Sequence, residues 1–303
     1  MGNYLSKPNL TKHSFSGENL FLKYGVSSMQ GWRVSMEDAH IINLSFDSET
    51  ALFGVFDGHG GNEIAKFCEK YFPDELSKNE AFQNKNYKIA LEETFLKMDS
   101  LLLSNRSAEM LKAFKRTSGS NSSAGSTAIV VLITKSEIYV ANAGDSRAVL
   151  FTNDAQVIPL SFDHKPELEL ENKRIRNAGG VIVEGRVNSS LNLSRAIGDL
   201  EFKRNRSLSL QEQMITSYPD VIVLPISKNA NFMIIGCDGI WEKMSALHIC
   251  QLADVRYKGN QSVRLSTICE ELLDKMVAKD TLEGIGCDNM TCIIVKFKPA
   301  IFE

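Results

Sequence analysis

The sequence predicts a single large α+β domain in which antiparallel β-sheets are packed against helices. Three observations lead to this prediction. Short apolar runs typical of strands come in groups, segments with helical spacing follow in pairs, and no repeat or linker divides the 303 residues. Regular alternation of strand and helix, which would indicate a parallel sheet, is not seen. A hydrophobic content of 43% is enough to build an extensive core.

The elements can be placed in order along the chain. Residues 1–19 are polar and aperiodic, and we interpret them as a tail before a domain that spans residues 20–303. Apolar runs predict strands over residues 39–46, 51–56, 127–134, 137–143, 147–151, 221–224, 232–237 and 290–297. Helical spacing predicts helices over residues 62–72, 86–103, 169–178, 245–257 and 262–278. The Ser- and Asn-rich composition of residues 104–125 predicts a flexible loop inside the domain.

Charge and cysteine usage argue against several classes of protein. The formal net charge of -3 and the pI near 6.0 disfavour a general nucleic-acid binder, so we expect no nucleic-acid partner. The six cysteines form no C-x-x-C pair, which disfavours a zinc cluster and a disulfide framework. A reduced, cytoplasmic setting fits this cysteine usage best.

The N-terminus carries a lipidation pattern. The first six residues, MGNYLS, match the M-G-x-x-x-[ST] pattern for N-myristoylation of Gly2. One myristoyl chain gives only marginal, reversible membrane binding, and the nearby basic residues Lys7 and Lys12 are a thin second signal. We therefore expect a cytoplasmic protein that associates reversibly with membranes through Gly2.

Acidic residues recur where apolar strands begin or end. The stretch FGVFDGHGGN ends a strand at Asp57, and four other acidic points have similar places: Glu37-Asp38, Asp145, Asp238 and Asp288. A turn explains any one Asp-Gly pair but not the whole set. Carboxylates brought close together resist ionisation unless a cation neutralises them, and oxygen ligands favour Mg²⁺ or Mn²⁺. The pattern therefore predicts a divalent-cation site at one edge of the sheets.

Two basic residues beside these acids suit phosphate chemistry. Arg33 lies four residues before Glu37, and its fork of donors matches a phosphate oxyanion. Taken alone, an arginine here is better explained as a surface residue. His59 lies two residues after Asp57, where an imidazole can donate a proton, ligate a metal or pack within a turn. The residues themselves leave these three roles open.

Eight sequence blocks follow one another along about residues 24–297: RVSMEDAH, FGVFDGHGG, GSTA, ANAGDSRAVL, DHKP with the following E, RI and AGG, RVNSSLNLSRAIGD, GCDGIWE and CDNMTCIIV. In this order the blocks resemble the metal-dependent serine/threonine phosphatases of the protein phosphatase 2C family. The resemblance implies a central β-sandwich of two antiparallel sheets flanked by helix pairs, an α-β-β-α arrangement. It also places the metals at one end of the sandwich.

The resemblance implies that the acidic residues hold divalent cations. Asp57 would bridge two Mg²⁺ or Mn²⁺ ions, and the carbonyl of Gly58 would bind one of them. Asp238 and Asp288 would hold the other ion. These assignments follow from the position of each residue in the matching blocks.

Other residues receive more distant roles from the same resemblance. Glu37 and Asp38 would act on the second ion, partly through water. Asp145 matches an acidic residue that is linked to a third, weaker ion in some members. Asn289 adjoins Asp288, and we interpret it as shaping the site. Five further residues match family blocks and are interpreted as mainly structural: Thr127, Ser194, Arg195, Gly198 and Asp199.

The activity implied by the resemblance is that of a protein-serine/threonine phosphatase. Arg33 would clamp the substrate phosphate, and His59 would be the general acid. The protein would hydrolyse phosphoserine and phosphothreonine on proteins by direct attack of a metal-bridging hydroxide, without a covalent phosphoenzyme. Its partners would then be phosphorylated proteins, and we expect a monomer.

Two other functions are compatible with the same fold. A catalytically weak pseudophosphatase that acts as a binding module is the first, and the intact set of acids argues against it. A different two-metal hydrolase, such as a phosphodiesterase or nuclease, is the second. The acidic charge balance and the lack of a long basic stripe argue against that class.

Overall fold

The computed structural model describes residues 4–114 and 123–303. The strands are β1 Tyr4–Glu18, β2 Leu22–Arg33, β3 Asp38–Asn43, β4 Ala51–His59, β5 Gly125–Ser126, β6 Ala128–Ile133, β7 Glu137–Ala143, β8 Arg147–Thr152, β9 Val157–Pro159, β10 Ile182–Val183, β11 Arg186–Val187, β12 Ile197–Gly198, β13 Asp220–Pro225, β14 Ala230–Gly236 and β15 Met290–Phe297. The helices are α1 Glu63–Lys78, α2 Glu80–Gln83, α3 Tyr87–Leu102, α4 Ser107–Lys112, α5 Glu169–Asn177, α6 Asp238–Trp241, α7 Ala246–Gly259 and α8 Leu265–Met276.

Two antiparallel sheets form the centre of the fold. The first sheet has the strand order β1-β2-β15-β14-β8-β9. The second has the order β12-β5-β4-β6-β7-β13, with β3 paired to β4. Neighbouring strands in both sheets run antiparallel over the described residues. The predicted α+β fold with two antiparallel sheets is therefore confirmed.

The packing of β4 shows how the layers are stacked. Successive side chains of a strand point to opposite faces of its sheet. Phe53 and Val55 belong to the core cluster that contains residues of both sheets together with α7 and α8. Leu52 and Phe56 belong to a second cluster that contains α1 and α3. The two sheets thus pack face to face, with one helix pair outside each of them.

The outer helices begin and end for local reasons. The N-cap of α7 is Ser245, as the sequence predicts, and its side chain accepts a hydrogen bond from the backbone N–H of His248. The α1 helix continues beyond the predicted end at residue 72, through Pro73. Phe72 and Leu76 are fully buried against the second sheet, and this packing offsets the backbone hydrogen bond that proline removes.

The N-terminal segment differs most from its prediction. Residues 4–18 of the expected tail form β1, which pairs with β2 from Tyr4 opposite Arg33 to Glu18 opposite Lys23. Most side chains of β1 are exposed, so apolar periodicity could not reveal the strand. Backbone pairing holds it at the sheet edge, together with contacts such as the 2.6 Å ion pair from Lys12 to Asp274 of α8. The first described residue consequently lies beside Arg33.

Two sequence predictions fall partly or wholly outside the described residues. The α4 helix occupies part of the predicted loop over 104–125, while residues 115–122 of that loop lie outside the described part of the chain. Gly2, the expected site of lipidation, lies outside it as well. Within residues 4–114 and 123–303, none of the helices has the length and apolar character needed to cross a membrane.

Candidate active site

A cleft of about 260 Å³ opens at the end of the sandwich where strand ends from both sheets meet. It is lined by eight of the residues singled out in the sequence: Arg33, Glu37, Asp57, Gly58, His59, Asp145, Asp238 and Asp288. Asp38 lies buried just behind this lining. The structure therefore brings together all the predicted site residues that it describes.

The strand register explains why Asp57 faces the cleft. In β4, Asp57 continues the alternation of Phe53 and Val55, which point between the two sheets. Asp38 of β3 lies directly opposite Asp57, so the two side chains share one face of the sheet. The other sheet contributes Asp238 after β14 and Asp288 before β15. We call Asp38, Asp57, Asp238 and Asp288 the acidic cluster.

Carboxylate oxygens of the acidic cluster lie at distances suited to ion binding. Ligand atoms of Asp38, Asp57 and Cys237 lie within 4.8 Å of one another, as do those of Asp238, Glu242 and Asp288. Glu242 is a further candidate ligand beside the acidic cluster, and the sequence analysis did not single it out. Its position four residues after Asp238, one helical turn further in GCDGIWE, was the available signal.

Loss of hydration and mutual repulsion raise the pKa values of three members of the acidic cluster, Asp57, Asp238 and Asp38. Loss of hydration and the charges of Asp238 and Asp38 raise the pKa of Asp57 well above its usual range. Burial, followed by the charges of Asp145 and Asp288, raises the pKa of Asp238 to about 8. Burial also raises the pKa of Asp38 to about 6, although hydrogen bonds from Thr291 and Cys237 lower it. A cation would relieve this repulsion.

Two buried oxygens of the acidic cluster provide a test of whether cations fit. Asp38 Oδ1 and Asp238 Oδ1 are buried and accept no hydrogen bond from any described residue. Buried polar atoms are nearly always paired, so each of these oxygens indicates a missing partner. A set of carboxylate oxygens with one backbone carbonyl suits a hard ion such as Mg²⁺ or Mn²⁺. The residues present therefore fit the cations that the sequence predicts.

The glycine after Asp57 allows a close approach of two backbone segments. A Cβ atom on Gly58 would lie only 2.5 Å from the carbonyl oxygen of Glu37. Any other residue would push apart the strand ends that carry Glu37 and Asp57. The glycine of this motif is thus needed for the packing of the site, in addition to any role of its carbonyl.

Arg33 and Asn289 organise the cleft wall next to Asp288. The Arg33 side chain is 44% exposed, and its Nη2 forms an ion pair with Asp288 Oδ2. Burial lowers the pKa of Arg33, but the adjacent Asp288 outweighs it and the pKa is raised. Asn289 Oδ1 accepts a hydrogen bond from the backbone N–H of Glu37 at 2.8 Å, and its Nδ2 donates to two carbonyls, those of Gln30 and Ser35. Asn289 is therefore placed to shape the site, as the sequence analysis expects.

His59 lies on the opposite wall and is paired with an acid that the sequence analysis regarded as structural. Its Nε2 lies 2.8 Å from Asp199 Oδ2. Burial lowers the pKa of His59, but the hydrogen bond and charge of Asp199 outweigh it and the pKa is raised. The two residues are 140 positions apart, so no local pattern could reveal the contact.

Asp145 is also paired with a residue that the sequence analysis did not single out. Lys165 Nζ donates to Asp145 Oδ2 at 2.5 Å, and the Asp145 side chain is almost fully buried. The lysine belongs to the block DHKP. This pairing gives Asp145 a positive partner. Among residues 4–114 and 123–303, Asp288 is the one member of the acidic cluster with such an ion pair, to Arg33.

Comparison with known proteins agrees with this geometry. The family model described as protein phosphatase 2C matches residues 22–285. The probable protein phosphatase 2C 6 of Paramecium tetraurelia is 47% identical over 298 residues, which cover 98% of this chain and 100% of that protein.

Solved structures support the same fold. A crystal structure of a phosphatase from Toxoplasma gondii has a TM-score of 0.76 at 24% identity and covers 95% of this chain and 96% of its own. A serine-threonine phosphatase 2C from the same organism has a TM-score of 0.75 at 20% identity and covers 98% of this chain and 99% of its own. At these identities the structures speak for the fold alone, whereas the family model and the Paramecium relative identify the family. The chain therefore belongs to the protein phosphatase 2C family and is a protein-serine/threonine phosphatase.

Proposed function

We propose that the protein hydrolyses phosphoserine and phosphothreonine monoesters on proteins with two Mg²⁺ or Mn²⁺ ions bound in the cleft. The observation that carries the proposal is the acidic cluster with its two orphaned oxygens, facing Arg33 on one side and His59 on the other. A cluster of acids alone would serve a binding site. The added guanidinium and imidazole supply the groups that a phosphoryl transfer needs.

We assign the residues that would hold the ions from the family resemblance, and their place in the cleft supports the assignment. Asp57, Asp238, Asp288 and the Gly58 carbonyl would be direct ligands, while Glu37 and Asp38 would support them, partly through water. Asp145 would contribute to a third, weaker site, where it is shared with Lys165. When bound, the ions would supply a water activated as nucleophile and positive charge beside the phosphoryl oxygens.

The side chains of the protein would orient the phosphate and handle the proton. Arg33 has donors left after its pairing with Asp288, and its guanidinium would bind two phosphoryl oxygens in a fork. This fixes the phosphorus against the acidic cluster. His59 would carry a proton on the imidazole and give it to the serine or threonine oxygen as the P–O bond breaks. Leu191 and Val34 line the mouth of the cleft and would contact the residues beside the phosphorylated side chain.

The pseudophosphatase alternative predicts a cleft that binds phosphoproteins without turnover. The presence of His59 beside the complete acidic cluster speaks against it, because a module that only binds phosphoproteins has no leaving group to protonate. A phosphodiesterase would need room for a second ester group and a positive surface for a nucleic acid. The net charge of -3 offers no general support for such a positive surface.

Hydrolysis of a phosphothreonine peptide tests the proposal. The full chain is assayed for phosphate release with Mn²⁺, with Mg²⁺ and with excess EDTA, beside an aryl phosphodiester. We expect metal-dependent release from the peptide, abolished by EDTA, and little hydrolysis of the diester. A folded, metal-loaded protein that binds the peptide without releasing phosphate would instead support the pseudophosphatase. Preferential cleavage of the diester would support the phosphodiesterase.

We further propose that Gly2 is myristoylated in eukaryotic cells. The proposal rests on the match of MGNYLS to the acceptor pattern. Because β1 begins opposite Arg33, an acyl chain attached nearby would approach the membrane from the cleft end of the sandwich. One acyl chain would make this association weak and reversible. Intact-mass analysis of protein from eukaryotic cells checks the modification, and an unacylated Gly2 would contradict it.

A further inference from the structure

We propose that Asp199 is a positioning residue that holds His59 through Nε2 and thereby presents Nδ1 to the leaving oxygen of the substrate. The inference rests on the proposed function and adds a residue that the acidic cluster and the general acid do not include. It also names the nitrogen of His59 that faces the substrate.

The two side chains joined by this hydrogen bond differ in their exposure to solvent. Asp199 Oδ2 lies 2.8 Å from His59 Nε2, and the Asp199 side chain is 1% exposed whereas that of His59 is 26% exposed. His59 lines the cleft, while Asp199 lies behind it. Within the described part of the chain, His59 Nδ1 has no hydrogen-bond partner. Nδ1 is therefore the ring nitrogen left for a substrate, with Nε2 anchored to the protein.

The backbone turn that carries Asp199 is held firmly. Asp199 has a φ of +48°, a left-handed conformation that costs energy for a residue with a side chain. Its backbone N–H donates to the carbonyl of Ala124 at 2.9 Å. Asp99 Oδ1 accepts from the backbone N–H of Gly198 at 2.8 Å, and its Oδ2 is paired with the fully buried Lys203. The neighbouring contacts fix the turn, so the strained conformation is maintained where it aims the carboxylate at His59.

The backbone at Gly125 provides an independent sign that this contact is a built feature. A Cβ atom on Gly125 would lie 2.2 Å from Asp199 Oδ2 and 2.6 Å from His59 Nε2. The hydrogen bond thus lies directly against the chain at Gly125, and any larger residue would separate the two partners. Two segments of the fold and a required glycine therefore converge on one hydrogen bond.

The chemistry that follows is a simple proton balance. With both ring nitrogens protonated, the Nε2–H donates to Asp199 and the Nδ1–H faces the departing oxygen. As water adds to phosphorus and releases one proton to solvent, the P–O bond to serine or threonine breaks and Nδ1 gives its proton to that oxygen. The imidazole is left neutral with its proton on Nε2, the tautomer that Asp199 stabilises, and solvent restores the Nδ1 proton. Asp199 accepts the hydrogen bond from Nε2–H and exchanges no proton in this step.

Nuclear magnetic resonance tests the arrangement without reference to activity. The chain has five histidines, so the imidazole N–H signals of the ¹⁵N-labelled, Mg²⁺-loaded protein can be assigned with His59→Gln. We expect a slowly exchanging Nε2–H signal from His59 that is lost in Asp199→Asn. A His59 ring that shows its protected proton on Nδ1, or a signal unchanged by Asp199→Asn, would overturn the inference even if the protein is an active phosphatase.

Kinetics test whether the contact matters for the reaction. Asparagine tolerates the left-handed conformation, so Asp199→Asn should keep the turn. We expect its kcat on a phosphothreonine peptide, whose leaving oxygen needs a proton, to fall by about 10²-fold, within the usual range for general acid catalysis. Its kcat on an aryl phosphate, whose leaving group needs none, should fall far less, and its calorimetric Mn²⁺ affinity should be unchanged. The matched control is Glu201→Gln, an exposed acid two residues along the same turn, which should behave as the wild type on both substrates.

A double variant separates positioning from general damage. If Asp199 acts through His59, Asp199→Asn combined with His59→Gln should be no slower than His59→Gln alone. Losses that multiply, or equal losses on both substrates, would overturn the positioning role. If the wild type releases no phosphate from either substrate, the proposed function fails, and the resonance experiment still decides whether Asp199 holds His59.

Discussion

Two groups of poorly hydrated carboxylates in this protein have opposite electrostatics. In the acidic cluster, carboxylates face one another, and the pKa values of Asp38, Asp57 and Asp238 are raised, for Asp238 to about 8. Near α5, Glu171 faces Arg195 and Arg174. Burial raises the pKa of Glu171, but these partners outweigh it and lower the pKa to about 2. Carboxylates thus mostly face one another in one region and face arginines in the other.

The difference separates a functional site from a structural one. Glu171 accepts from Arg195 Nη2 at 2.6 Å and from Ser194 at 2.7 Å, while Arg195 also reaches Asp220 at 2.8 Å. We call Glu171, Arg174, Arg195 and Asp220 the ion-pair network. Its charges are satisfied by the protein itself. Under the proposed function, cations would complete the acidic cluster, and the imbalance that folding tolerates would serve to bind them.

Removal of one acid from the cluster should give the largest effect on activity. Asp57→Asn would take away a central ligand of the proposed metal site, and we expect metal-dependent phosphate release to fall at least about a hundredfold. The metal-free variant should be no less stable than the wild type, because burial and the neighbouring carboxylates raise the pKa of Asp57, and an uncharged amide relieves both effects. Phosphate-release assays and urea unfolding with EDTA measure the two effects.

The control for this variant is Asp274→Asn, an exposed acid of α8 that lies outside the cleft. We expect it to retain full activity. An Asp57→Asn protein that is folded and as active as this control would contradict the role of the acidic cluster.

Removal of an acid from the ion-pair network should act on stability. Glu171→Gln leaves Arg195 and Arg174 without their shared negative partner, and breaking a buried pair in this way costs about 3–5 kcal/mol in the free energy of unfolding. Urea unfolding of the variant measures the loss. Glu169→Gln, an exposed acid of the same helix, should stay within about 0.5 kcal/mol of the wild type. Equal stability of the two variants would remove the contrast between the regions.

The pH dependence of stability should show the lowered pKa of Glu171 directly. Its pKa is 4.5 as a reference and about 2 in the folded protein, so the folded state binds fewer protons between these values. The stabilisation, about 3 kcal/mol, is present above pH 4.5 and is lost as pH falls towards 2. We expect the difference in unfolding free energy between wild type and Glu171→Gln to shrink over that window. A difference that stays constant from pH 6 to pH 2.5 would contradict the assignment.

The sequence predicts the members of the acidic cluster but misses Glu242 beside them. The acids of the cluster are predictable because each adjoins an apolar strand, and strand ends of antiparallel sheets gather at one edge. Glu242 was missed although its spacing from Asp238 in GCDGIWE was visible.

Long-range pairings are not encoded in any local pattern. Asp199 contacts His59 across 140 positions, and Arg195 contacts Glu171 across 24. The sequence analysis therefore interpreted Asp199 and Arg195 as mainly structural and did not name Glu171. The β1 strand was missed for a different reason. An edge strand with mostly exposed side chains is held by its backbone pairing with β2, which leaves little apolar signal in the sequence.

The most direct test of the account is a crystal structure of the full chain soaked with Mn²⁺, with anomalous diffraction recorded at the manganese edge. We predict two strong anomalous peaks in the cleft, in contact with Asp57 and with Asp238 or Asp288, and a weaker third peak near Asp145 at high Mn²⁺. Their appearance would show that the repelling carboxylates are a cation site. An active protein whose cleft shows no manganese peak beside Asp57 would contradict the central claim.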